Sequence, residues 1–129
     1  MSNRIAIVDT IIERDGKILM VKRNYHPVGK LDFPGGFVEA GETIEQAAIR
    51  ESKEETGFTV ELTEKFVAYD YTDRGEKTAH IFFGKIVSGE ITASKEGTPQ
   101  WIDPKSITEF DLAFPQVHWK VLRKYLKRK

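Results

Sequence analysis

The chain has 129 residues, 40% of them hydrophobic and 31% charged, a balance that suits a globular protein with a real core. Its 20 basic and 20 acidic side chains cancel, so no overall field draws it to nucleic acid or to a membrane surface. Cysteine is absent, which excludes disulfides and thiol catalysis; no apolar run reaches membrane-spanning length and residues 1–10 lack a signal-peptide pattern, so the expectation is one cytoplasmic domain over 1–129.

Ile5–Arg14 and Lys17–Arg23 are apolar, β-rich runs on either side of Asp15 and Gly16, a hairpin turn pair. Residues 24–34 read as a loop leading to Gly35 and Gly36. Ile44, Ala47, Ala48 and Glu51 then follow a helical step, which predicts a helix over 43–56. Thr43 can cap its start, and Gly57 stands where a C-cap glycine belongs. Residues 58–71 and 78–87 read as two long strands around Arg74 and Gly75. Residues 91–92 are expected to extend the sheet, and Trp101 with Ile102 forms a short strand. Apolar residues at 114, 117, 121, 122 and 125 predict an amphipathic helix over 114–126. Strands with two separated helices make an α/β fold.

The chemistry concentrates on the first helix. Glu51 meets Glu54 at i+3 and Glu55 at i+4, so three carboxylates project near one line. Unpaired, they would repel. A hard divalent cation such as Mg2+ takes oxygen ligands and removes that objection. Arg50 stands four residues before Glu54 and can hold a carboxylate in its fork. A solvated, glutamate-rich surface helix is the plain alternative for these three residues taken alone.

The wider run, Gly36 to Phe58, favours the first reading. It places Gly36, Glu42, Arg50, Glu51, Glu54, Glu55, Gly57 and Phe58 at the offsets GX5EX7REUXEEXGU, and so resembles the Nudix box of the Nudix hydrolases, MutT-like enzymes included. Only Ser52 departs, where an aliphatic residue is usual. Its hydroxyl is expected to bond to a backbone carbonyl one turn back. The segments 18–23, Phe33 to Gly36 and Trp101 to Asp103 also look like flanking features of the family. The resemblance implies a mixed sheet sandwiched between helices, an α/β/α arrangement. It implies a pyrophosphohydrolase using Mg2+, or Mn2+ in its place, on a nucleoside diphosphate linked to a further group X. Nucleoside triphosphates, oxidised purine nucleotides, ADP-ribose and other sugar nucleotides all qualify, and a nucleoside monophosphate is released. Homodimers are common in the family.

The same resemblance distributes roles. Glu54 and Glu55 are expected as metal ligands, with the Gly35 carbonyl beside them. Glu51 is a ligand or the base that activates water, and Arg50 orients Glu51 or Glu54. Glu42 is expected to pair with Arg50. A further carboxylate is expected from Glu96, with Asp70, Asp73 and Glu76 as runners-up. Tyr25, Phe37, Tyr69 and Phe114 are candidate platforms for a base, and Gln116, just ahead of the last helix, a reader of its edge. His26, His80 and His118 have no metal-ligand spacing, which argues against zinc. Intact Glu51, Glu54 and Glu55 argue against a module that senses a nucleotide without cleaving it. Six basic residues at 120, 123, 124 and 127–129 suit a helix C-terminus, and leave RNA 5′-end processing as the alternative activity. No coenzyme A signature precedes the box, the downstream motif of NADH-cleaving relatives is absent, and 59–76 holds no proline of the ADP-ribose type.

Overall fold

The computed structural model describes residues 3–128; Lys129, the last of the six basic side chains, lies outside them. Strands β1 (Ile5–Arg14) and β2 (Lys17–Arg23) form the expected hairpin, with Asp15 and Gly16 at φ 53° and 78°. Such a turn needs a left-handed backbone at both positions, which aspartate tolerates and glycine adopts freely. β3 (Leu31–Asp32) pairs antiparallel with the end of β2, and β7 (Gly97–Ile102) runs antiparallel along its length. β4 (Gly35–Phe37) pairs antiparallel with the first half of β1. On the other edge of β1, β6 (Glu76–Gly89) runs parallel, and β5 (Phe58–Thr72) lies antiparallel outside it. The sheet is mixed, as expected.

Helix α1 (Ile44–Thr56) and helix α2 (Pro115–Lys127) cover opposite faces. The period of two along the strands decides which residue meets which helix. Val8 on β1 and Phe82 on β6 pack with Ala47 and Ala48 of α1. Ile11, Ile81 and Phe83 point the other way and pack with Val117, Val121 and Leu122 of α2. Asp9 and Glu13 share the α2 face of β1 with Ile11. They meet His118 and Tyr125, seven residues apart and so two turns along one stripe of α2.

Two local expectations are corrected. Residues 24–34 are not loop throughout, because Leu31 and Asp32 add the short strand β3. Residues 91–92 do not extend the sheet; the Thr92 amide donates instead to the Thr56 carbonyl at 2.9 Å, serving the open end of α1.

Candidate active site

α1 is fastened at both ends, which fixes the direction of its carboxylates. Thr43 Oγ1 accepts from the Gln46 amide at 3.0 Å, and Gln46 accepts from the Thr43 amide at 2.9 Å, a complete capping box. Gly57 closes the helix at φ 86°, a left-handed position. Between these caps Ala47, Ala48, Ser52, Glu55 and Thr56 form the buried face. A glutamate on that face must turn its carboxyl into the protein rather than to solvent.

Arg50 takes up two of the three carboxylates, Glu51 and Glu54, together with Glu42. Its Nε and Nη2 donate to the two oxygens of Glu42 at 2.6 and 3.0 Å, a fork on one carboxylate. Its Nη1 donates to Glu51 at 2.7 Å and to Glu54 at 3.0 Å, and Nη2 also reaches the Phe37 carbonyl at 3.1 Å. The hydrogen bond from Arg50, with the Glu39 amide adding, lowers the pKa of Glu42. Glu42 therefore anchors the arginine, and the arginine spaces Glu51 from Glu54.

Glu55 lies deepest of the three. Its carboxyl accepts from the Gly35 amide at 3.1 Å. Burial pushes its pKa up to about 10; the Gly35 amide opposes that shift, and the charge of Glu51 adds to it. Burial also raises Glu51, against the pull of Arg50. Glu96 comes in from the loop before β7, whose backbone is pinned by the Asn24 amide on the Glu96 carbonyl at 2.9 Å. Its carboxyl stands close enough to Glu55 to add to the rise of that group's pKa, after burial and Glu51. The structure thus brings Glu96 to the cluster and leaves the runners-up elsewhere. Asp70 and Glu76 face Arg4 at 3.3 and 3.8 Å, and Asp73 faces Lys77 at 3.7 Å.

The two glycines serve different needs. A Cβ on Gly35 would collide with the Val8 carbonyl oxygen and with Asp9, so β4 can lie on β1 only with glycine there. A Cβ on Gly36 would sit 2.9 Å from the Glu51 carboxyl. Glycine at 36 keeps space open beside that carboxylate. Among the described residues no three acid or imidazole groups already stand in metal-ligating geometry. Glu51 and Glu54 are turned onto Arg50 instead. The donors fit a hard divalent cation: all are oxygens, two of the carboxyls are raised by burial that a cation would relieve, and Gly36 leaves room.

Across Gly35 from this cluster lies a second polar group, which the sequence reading missed. Asp9 and His118 are both buried, with His118 Nε2 and Asp9 Oδ2 3.0 Å apart. Burial raises the pKa of Asp9 although His118 opposes it; burial also opposes charge on His118, but Asp9 outweighs it and the pKa is raised. The pair therefore keeps its shared proton beyond the usual imidazole range. Asp32 Oδ1 stands 4.0 Å from His118 Nδ1, and its other oxygen accepts from Arg23 at 2.6 Å. Tyr71 faces the same acids. Burial, with Asp9, Asp73 and Asp32 adding, pushes its phenol up to about 12. The signal available in the sequence was a polar residue inside an apolar pattern: Asp9 within β1, and His118 on the buried stripe of α2.

Of the candidate base platforms, Tyr25 and Phe114 come together here, 3.8 and 5.3 Å from the Arg23 guanidinium. Phe114 also packs edge-on against His118 at 6.2 Å and touches the core. Gln116 is exposed on the first turn of α2. Tyr69 is not part of this group. It lines a separate groove of about 380 Å³ on α2 with Trp119, Lys120, Arg123, Lys124 and Lys127.

The family described as NUDIX domain matches residues 2–125. An ADP-ribose pyrophosphatase of Methanocaldococcus jannaschii is 37% identical over 127 residues, 95% of this chain and 73% of that protein. An 8-oxo-dGTP diphosphatase of Escherichia coli is 36% identical over 127 residues, 94% of each chain. In shape, a NUDIX hydrolase crystal structure from Nitrosomonas europaea superposes with a TM-score of 0.86 at 29% identity, covering 99% of this chain and 73% of that one.

Proposed function

The chain belongs to the Nudix family and is a pyrophosphohydrolase, and from that premise we propose that it cleaves a nucleoside diphosphate linked to X, with Mg2+ held by Glu54, Glu55 and Glu96. The observation that carries this reading is the gathering of four carboxylates from α1 and the β7 approach around the Gly35–Gly36 edge of β4, next to a recess lined by aromatic rings. When bound, Mg2+ neutralises phosphate charge and lowers the pKa of a coordinated water. The protein residues do the rest. Glu55 is oriented by the Gly35 amide, and Glu54 is held one helical turn from Arg50 by the guanidinium. Glu51 either joins the ligands or takes the proton of the attacking water. Its carboxyl, raised by burial, suits the second task, since a base works best near the ambient pH. A P–O bond forms from water, the bridging P–O bond breaks, and the products are a nucleoside monophosphate and phosphorylated X.

The substrate belongs with small nucleotides. The two relatives are named for ADP-ribose and for an oxidised guanine triphosphate, which brackets X as a sugar or a phosphate. The test is a hydrolysis screen over nucleoside triphosphates, sugar nucleotides, dinucleoside polyphosphates and 5′-capped RNA. It is run with Mg2+, with Mn2+ and with a chelator. Monophosphate release from a small nucleotide that stops on chelation is expected. Turnover unaffected by chelation, or confined to RNA, would overturn the proposal.

A further inference from the structure

The neutral total charge conceals an uneven distribution. Helix α1 carries Glu45, Glu51, Glu54 and Glu55, whereas α2 carries no acidic residue. Lys120, Arg123, Lys124 and Lys127 stand exposed on α2 and, with Trp119 and with Tyr69 of β5, line the groove of about 380 Å³. The neighbouring Arg128 pairs with Glu64 at 3.1 Å, but none of these four cations has a carboxylate partner among the described residues. Lys120 lies instead over the Tyr69 ring at 5.9 Å. Tyr69 and Trp119 are half-buried against the core, and the surface they keep faces the groove.

A cleft lined by one sign of charge concentrates the opposite sign. The form of the anion follows from the spacing. The cations recur at each turn of α2, over about 10 Å of helix, rather than converging on one point. That suits a row of phosphates better than a single one. The two rings suit flat bases, which stack on aromatic side chains whatever their sequence. A duplex keeps its base faces covered, and a single strand offers them. An anionic membrane is the poorer match. Binding to it needs an exposed apolar face, and Val117, Val121, Leu122 and Tyr125 of α2 are buried in the core. We propose that this groove holds a single-stranded nucleic acid, with phosphates along the α2 cations and bases against Trp119 and Tyr69. The strand is held there and not cleaved, because the carboxylates lie on α1, across the sheet.

The test uses the full chain without metal and a short fluorescein-labelled oligouridylate ending in a 5′-hydroxyl. Such a strand has no pyrophosphate bond to engage the carboxylates, so the result does not depend on hydrolysis. Anisotropy measures affinity against salt, and tryptophan fluorescence reports stacking. Binding is expected, with log affinity falling against log salt at a slope of about −3, which is about 0.7 for each of four cations. Arg123→Ala combined with Lys124→Ala should halve that slope. Trp119→Leu should weaken binding by about 5- to 150-fold and abolish the fluorescence quenching that the strand causes. Hydrolysis of small nucleotides should be unchanged in these variants. Inorganic polyphosphate, an anionic chain without bases, and phosphatidylserine vesicles are measured in parallel. Tighter binding of either than of oligouridylate overturns the proposal. So does an oligouridylate that fails to bind at low salt, or one that binds the Arg123 and Lys124 double variant with an unaltered slope. Both of those side chains are exposed, so that variant keeps the fold and decides the matter if Trp119→Leu does not fold.

Discussion

Replacing Ser52 by alanine should stabilise the protein, although it alters a position inside the signature motif. The sequence reading expected the Ser52 hydroxyl to bond to a carbonyl one turn back. The structure shows otherwise. Ser52 is fully buried on α1, its Oγ has no partner, and it is Thr56 that bonds back, donating to the Ser52 carbonyl at 2.6 Å. Burying a hydroxyl without a partner costs about 1–3 kcal/mol. Alanine removes that cost and is the better helix former by a few tenths of a kcal/mol. Against this stands the loss of one oxygen's packing contacts, worth at most about 1 kcal/mol. A net gain of about 1–2 kcal/mol follows. For 129 residues, at about 2.1 cal/mol/K per residue, the unfolding entropy is about 0.27 kcal/mol/K, so Tm should rise by about 4–7 °C. Scanning calorimetry on both proteins reads this directly, with kcat expected to be unchanged because the side chain faces away from Glu51 and Glu54. A lower Tm for Ser52→Ala would refute the reasoning and show that the hydroxyl is satisfied in solution.

The other predictions concern the two polar groups. Glu54→Gln should lower kcat by about 10²–10⁴, the scale of a lost electrostatic group, with Tm little changed because that side chain is 52% exposed; full Mg2+-dependent turnover would contradict its role. Gly36→Ala should cut kcat by about 10- to 100-fold, because a Cβ 2.9 Å from the Glu51 carboxyl displaces it, and small misplacements are that expensive. An unchanged kcat would show the space to be unused. His118 should make stability pH-dependent. Its folded pKa is raised above 6.5 by Asp9, with Asp32 adding, while Arg23 and Tyr71 complete the surroundings. The stabilising pair is therefore intact below 6.5 and lost as pH rises through the folded value. The raised Asp9 pKa acts in the same direction. Tm measured from pH 6.5 upward should fall in the wild type, and fall less in His118→Asn; equal slopes would contradict the pairing.

Local rules carried much of this protein. The β1–β2 hairpin, both caps of α1, the stripe of α2 and the line of Glu51, Glu54 and Glu55 all depend on residues close in the chain, where turn chemistry and helical period act directly. Glu42 with Arg50 was also legible, because both belong to one motif whose spacing is fixed in the chain. What could not be read is what the sheet brings together from afar. Asp9 and His118 lie 109 residues apart, and they meet only because β1 turns its odd positions toward α2. No local pattern shows that a polar residue in an apolar run has a partner waiting across the core. The strand β3 was missed because two residues have no period of their own and are held by pairing with β2. Glu96 reaches Glu55 because β7 pairs with β2 and the Asn24 amide pins the loop before it. Tyr25 and Tyr69 look alike in the sequence as exposed aromatics near charges. The fold sends one to the recess beside the carboxylates and the other to a cationic groove, because Tyr25 lies in the loop between β2 and β3 while the pleat of β5 turns Tyr69 toward α2.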